Sequence, residues 1–262
     1  MAQESSSQSA PVLVFVAGAS GFCGRAMIRF LAQHPAYIPL AHLRPHSSRT
    51  QSALKEWEDL GVQSLVCSWQ ELPQRLIEYA PQVIMSFIGT TKRTMKQHGG
   101  SYRDIDYGLN HTLIEIARQF EKPPYFIYLS SMGVEWEKWS AYIKARADVE
   151  RELKSSSLPY TVIRPGILSG ESRDETRPLE ALGAQLSFGI SWIGHTLRWS
   201  SLSHKVRPLD APEIASFIGH VLEAYFQNAR ADPTSYNSCY LVHHIHQTLM
   251  THQLPPSAPH KD

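Results

Sequence analysis

The stretch VLVFVAGASGFCGRAMIRFLAQ, residues 12–33, decides the fold. Its first six residues are apolar in succession and rich in β-branched side chains, as in a strand covered on both faces. Three glycines follow at Gly18, Gly21 and Gly24, and FCGRAMIRFLAQ then has helical spacing. A phosphate-binding turn needs a tight bend, a point where backbone can approach pyrophosphate, and a close helix–strand contact; one glycine can serve each. The helix N-terminus that follows favours an anion. Glycines between a first strand and a first helix are the context that gives such a pattern meaning. Gly18, Ser20, Gly21, Phe22 and Gly24 are thus the candidate cofactor-binding residues of the turn.

Outward from this stretch, strand-length apolar runs alternate with helix-like segments. The runs are IPLAHL (38–43), VQSLVC (62–67), QVIMSFI (82–88), YFIYLS (125–130) and YTVIR (160–164). Between them lie SALKEWEDL, QELPQRLIEY, DYGLNHTLIEIARQF and AYIKARADVEREL. Repeated βαβ units predict an α/β fold: a Rossmann-type doubly wound parallel sheet with a small C-terminal lobe. The expected organisation is a disordered tail over 1–11, a dinucleotide-binding core over 12–168, a small substrate lobe over 169–249, and a flexible tail over 250–262. Within the lobe, Leu186, Ile190, Ile193 and Leu197 form one helical stripe, and VRPLDAPEIASFIGHVLEAYF predicts a short strand and then a helix capped by Asp210.

Composition narrows the function classes. The chain has 262 residues, 42% of them hydrophobic, with 25 basic and 24 acidic side chains and a formal charge of +1. So even a balance gives no electrostatic pull toward nucleic acid or an anionic membrane. No apolar run is long enough for a spanning helix, so no stable membrane insertion is expected. Three scattered cysteines and the absence of a secretory signal at the start lead, by elimination, to a cytoplasmic expectation. Either a monomer or a homodimer fits.

The end of the second strand addresses which dinucleotide is held. An NAD site usually places an acid there to bond the ribose hydroxyls. The chain reads AHLRPHSSR over 41–49, with no acid, and Arg44 falls where a 2′-phosphate would sit. A guanidinium matches phosphate geometry. The expected cofactor is therefore NADP(H) in preference to NAD(H).

Three further motifs stand at strand ends: FIGTTK (87–92), YLSSMG (128–133) and IRPG (163–166). Together with the GxxGxxG spacing they resemble the atypical short-chain dehydrogenase/reductases, in particular the NmrA-like group. The resemblance covers most of residues 12–168 and, more loosely, the chain to about 225. It implies that Gly89, Thr90 and Thr91 pass beside the cofactor and that Pro165 lies near the nicotinamide. It also implies Ser131 as the active-site serine, Tyr142 as the proton donor, and Arg146 in the position of the lysine that bonds ribose. Residues 142 and 146 share a helix face, whereas Lys144 is turned about 200° away from Tyr142. A guanidinium at 146 supplies positive charge but does not readily lose a proton. Two functions stay open on this evidence. One is an NADP(H)-dependent reductase of a small carbonyl-type substrate. The other is a non-catalytic NADP(H)-binding regulator that acts through a protein partner.

Two other features are weaker. His243, His244 and His246 cluster near the end of the sequence without nearby Cys, Asp or Glu, and a solvated stretch is the plainer reading, so no metal is expected. Cys23 sits inside the glycine turn near a helix N-terminus, where a thiol can become reactive; packing is its default role.

Overall fold

The structure, a computed structural model, describes residues 10–90, 95, 99–166, 168, 209–228 and 237–242. Thr91, the helical stripe at 186–199, the histidine cluster at 243–246 and nearly all of both tails lie outside the described residues.

In chain order the elements are β1 (Val12–Ala17), α1 (Phe22–Ala32), β2 (Tyr37–Leu43), α2 (Thr50–Asp59), β3 (Gln63–Val66), α3 (Leu72–Tyr79) and β4 (Val83–Ser86). A π-helical segment, Arg103–Gly108, leads into α4 (Leu109–Ala117) and β5 (Tyr125–Leu129). A 3-10 segment, Val134–Trp139, precedes α5 (Ala141–Ser155), β6 (Tyr160–Pro165), α6 (Ala211–Asn228) and β7 (Asn237–Val242). All strand pairs are parallel, in the order β3-β2-β1-β4-β5-β6-β7. The order reverses between β1 and β4, the switch point at which α/β sheets bind ligands.

Alternation along the strands builds two cores, one on each face of the sheet. Val14, Val16, Val83, Met85 and Ile127 face Met27, Ile28 and Leu31 of α1, Trp57 of α2 and Ile214, Phe217 and Ile218 of α6. Phe15, Ile84, Phe126, Tyr128 and Val162 face Leu72 and Leu76 of α3, Leu113 and Ile114 of α4, and Val149 and Leu153 of α5. With both faces covered, the strands need consecutive apolar residues, which is the pattern read in the sequence. Pro39 lies near the start of β2, and pairing with β3 begins only at Leu40, so its missing N–H removes no ladder bond on that side.

The parallel core continues past residue 168. Leu168 bridges Leu209, α6 packs on α1, and β7 pairs with β6 from Tyr160↔Asn237 to Pro165↔Val242. The start of α6 is set by a reciprocal cap: the Glu213 N–H donates to Asp210 Oδ1 at 2.9 Å and the Asp210 N–H to Glu213 Oε2 at 3.0 Å.

Candidate functional site

The glycine turn closes on itself and on the end of β4. The Gly21 N–H donates to the Gly18 carbonyl at 2.9 Å, and the Arg25 N–H donates to the Gly21 carbonyl at 2.9 Å, opening α1. Gly18 has φ +79°, and a Cβ there would lie 2.8 Å from the Phe87 carbonyl oxygen. A Cβ on Gly24 would stand 2.1 Å from the Gly18 carbonyl oxygen, so this glycine lets the helix close against the turn. At Gly21 the same addition meets only the Gly18 oxygen, at 3.1 Å. Gly21 offers no side-chain cap to α1, and the first turn of the helix carries no acid. Such a helix start suits an anion. Ser20 and Phe22 flank the turn, both half-buried, while Cys23 is buried in the core, consistent with a packing role.

Arg44 follows β2 immediately and is exposed; its carbonyl accepts from Thr50 Oγ1 at 2.6 Å. Among the described residues its guanidinium forms no salt bridge. Two residues earlier, His42 is buried between Phe15 and Trp69 and bonds the Cys67 carbonyl through Nε2 at 3.1 Å. Burial holds its pKa down at about 4, so the strand that carries Arg44 is neutral at this position.

Beyond β4, Gly89 and Thr90 meet Arg146. A Cβ on Gly89 would stand 2.2 Å from Arg146 Nη2, so the guanidinium packs directly on this backbone. Arg146 is 5% exposed and is bound from several sides. Its Nη2 lies 3.1 Å from Asp106 Oδ1, and its Nη1 donates to the Leu129 carbonyl at 2.7 Å and to the Tyr128 hydroxyl at 3.3 Å. Its guanidinium carbon sits 5.1 Å from the Tyr142 ring centroid and 5.7 Å from that of Tyr128. Burial works against this charge, yet the Tyr128 and Tyr142 oxygens and the Asp106 carboxylate hold its pKa above the ordinary arginine value. Its Nε is buried with no partner among the described residues.

Tyr142 is half-buried, with Tyr102 edge-on at a 5.4 Å centroid distance. Lys144 is exposed and lies 3.9 Å from Asp148, on the outer face of α5. The two serines after β5 differ. Ser130 is buried, and its hydroxyl donates to Glu150 Oε1 at 2.5 Å. Ser131 is half-buried, and its hydroxyl donates to the Met132 carbonyl at 3.2 Å. Glu150 also receives Arg164 through Nε at 3.1 Å and Nη2 at 2.5 Å. Pro165, buried at the end of β6, accepts the Met132 N–H on its carbonyl at 3.3 Å.

One chain of contacts therefore runs from Gly18 to Phe87, through Gly89 to Arg146, and on to Leu129 and Tyr142. The described candidate residues gather along the C-terminal ends of β1, β4, β5 and β6, with Arg44 at the end of β2. Asp106 was not legible as a site residue, because an acid at the start of a helical pattern reads as a cap. The π-helical segment instead buries it completely, with its carboxylate accepting the Thr90 N–H at 3.3 Å. Asn110 Nδ2 donates to the Asp106 carbonyl at 2.7 Å, and Ser86 Oγ donates to Asn110 Oδ1 at 2.5 Å. On the outer side, His111, Glu115 and Glu152 bring ligand-type atoms within 4.8 Å of one another; His111 pairs with Glu152 at 2.7 Å and Glu115 with Arg118 at 2.5 Å.

The site fits a dinucleotide on two observations: a glycine cradle that opens an uncapped helix, and a buried Arg146 Nε without a partner among the described residues, on the guanidinium that packs against Gly89. Comparison with known proteins agrees. The chain is 28% identical over 169 residues to protein fmp52-1, mitochondrial, of Aspergillus terreus, covering 64% of this chain and 71% of that protein. It is 29% identical over 173 residues to protein fmp52, mitochondrial, of Aspergillus fumigatus, again covering 64% and 71%. Among solved structures, a dehydrogenase/reductase from Sinorhizobium meliloti superposes with a TM-score of 0.54 at 15% identity, over 80% of this chain and 87% of that one, which shows the shared fold. The fungal relatives overturn the cytoplasmic expectation, since their names place them in mitochondria. That expectation rested on missing secretory and transmembrane segments, and neither absence separates the cytosol from a mitochondrial location. No described helix is long and apolar enough to cross a membrane. A family model described as NAD(P)H-binding matches residues 18–189, more than half of the chain, and the protein belongs to that family, in keeping with its resemblance to the atypical short-chain dehydrogenase/reductases.

Proposed function

We propose that the protein is a mitochondrial NADP(H)-dependent reductase of a small carbonyl-type substrate, with Tyr142 as its proton donor. The observation that carries this is the placement of Arg146, which ties the backbone at Gly89 and the Leu129 carbonyl to the ring of Tyr142. It holds the tyrosine at the end of the sheet where the fold binds dinucleotides. Gly18, Ser20, Gly21, Phe22 and Gly24 would cradle the pyrophosphate, and Arg44 the 2′-phosphate. Gly89, Thr90 and Arg146 would flank the nicotinamide half, with Thr91 and Pro165 as further candidates. A bound reduced nicotinamide supplies hydride. The phenol of Tyr142 gives a proton to the oxygen on which charge develops, and Ser131 orients that oxygen. Ser131 suits this better than Ser130, whose hydroxyl is already held by the Glu150 carboxylate.

A non-catalytic NADP(H)-binding role is the second reading. It is favoured by the pairing of Arg146 with Asp106 and the Leu129 carbonyl, which leaves the guanidinium poorly suited to a lysine-like proton relay. Single-turnover oxidation of bound NADPH across a panel of aldehydes and ketones separates the two. Reductase activity that Tyr142→Phe removes, with NADPH affinity kept, supports the first; a silent panel with tight NADPH binding supports the second. Turnover that survives in Tyr142→Phe refutes the assignment of the proton donor.

A further inference from the structure

We propose that Asp106 is a specificity-determining residue: its carboxylate offsets the charge of Arg146 at the end of β4, so that the site accepts the oxidised as well as the reduced form of its cofactor. The proposal rests on the reading above that the site holds NADP(H).

The two forms differ by one charge on the nicotinamide ring, which is cationic when oxidised and neutral when reduced. With the pyrophosphate at the start of α1 and the adenosine half toward β2, the nicotinamide half extends toward β4 and β5. There the backbone of Gly89 packs on the guanidinium of Arg146, 5% exposed and always charged. An uncompensated cation so deeply buried would repel an oxidised nicotinamide far more than a reduced one.

Asp106 supplies the opposite charge from within the protein. It is wholly buried, 3.1 Å from Arg146 Nη2, and its carboxylate also accepts the Thr90 N–H of the same loop. Its backbone is fixed by Asn110, which Ser86 holds in turn. The turn that carries it is π-helical, a distortion that recurs at functional sites. A carboxylate is costly to bury, and one placed here by a distorted turn against the guanidinium has an electrostatic effect on whatever lies beside Gly89.

The test is the ratio of the dissociation constants for NADP+ and NADPH, measured by calorimetry at fixed salt and neutral pH. Asp106→Asn keeps the shape and removes the charge. The ratio is expected to rise about tenfold, the scale of one extra unit charge about 10 Å away at an effective dielectric constant near 20. Removing both charges, in Asp106→Asn with Arg146→Met, should return the ratio to the wild-type value. A purely structural role for Asp106 would weaken both forms alike. An unchanged ratio in a folded Asp106→Asn protein that still binds overturns the proposal. If that variant does not fold, Asp106→Ser removes the same charge with less bulk and is judged by the same ratio. Wild-type protein that binds neither form refutes the NADP(H) reading itself, and this proposal with it.

Discussion

Replacing Arg146 by lysine keeps the charge and removes the fork. The structure makes this a sharp test, because the two terminal nitrogens serve different partners: Nη2 faces Asp106 at 3.1 Å, and Nη1 holds the Leu129 carbonyl at 2.7 Å. A single ammonium reaching for the carboxylate gives up the carbonyl, so one bond from a charged donor is lost inside the protein. Such a loss costs about 1.5–3 kcal/mol. Arg146→Met removes both contacts and leaves Asp106, which has no solvent exposure, without this cation. Breaking one side of a buried pair costs about 3–5 kcal/mol. Against a typical domain stability of about 5–15 kcal/mol, both changes are measurable by urea unfolding followed through tryptophan fluorescence. The expected order of stability is wild type, Arg146→Lys, Arg146→Met. Adding Asp106→Asn to Arg146→Met should recover part of the loss, because the buried carboxylate that has lost the Arg146 charge is then gone. A lysine variant as stable as wild type, or a methionine variant no worse than the lysine one, would refute the idea that the guanidinium is bound from two sides.

Three other expectations follow from the same geometry. Arg44→Ala should weaken NADPH by about 1.5–3 kcal/mol and leave NADH unchanged, the loss of one charge-assisted phosphate contact; equal affinities for the two cofactors in the wild-type protein would defeat it. Gly24→Ala should destabilise the fold by about 1–3 kcal/mol because its Cβ would meet the Gly18 carbonyl at 2.1 Å, while Gly21→Val should fold and lose cofactor affinity; unfolding midpoints and a calorimetric titration of each variant decide this. Burial lowers the folded pKa of His42 from 6.5 to about 4, so between these values the unfolded chain binds more protons than the folded one. His42 therefore imposes no pH penalty above pH 6.5 and removes about 3 kcal/mol as pH falls to 4, read as the wild-type loss minus that of His42→Gln, since the chain has 13 histidines.

Five of the first six strands were legible because they lie inside a sheet covered on both faces, where successive positions must be apolar. β3, at the edge with Gln63 and Val66 exposed, was read only from its short apolar run. The seventh was not legible. Asn237–Val242 begins with two polar residues and pairs with β6 alone among the described strands, so its sequence lacks the run that marked the others. The cap on α6 was legible, because Asp210 and Glu213 stand at the spacing that reciprocal capping requires. Of the site, the shape of the glycine turn could be read, since Gly18 takes a positive φ and Gly24 has no room for a Cβ; that the turn holds pyrophosphate is part of the proposal. The location could not be read, since it was inferred from absences.

Arg146 marks where reading the sequence stops. Helical spacing is enough to place it on the same face as Tyr142, and the structure has its guanidinium over that ring. Spacing does not say whether a long side chain runs outward to a ligand or inward to a partner. Here the guanidinium runs inward to Asp106, far upstream in the chain, and Asp106 lies in a segment before α4 that winds with π-helical geometry. No local pattern announces that winding. Yet the substitution itself carried a hint. A lysine at this position can be partly desolvated and still lose its proton, whereas a buried arginine keeps its charge and must have a counter-charge. Arginine in the lysine position therefore implies a buried acid elsewhere in the chain. Asp106 and Arg146 meet as a buried pair, so a substitution at either is read against the other.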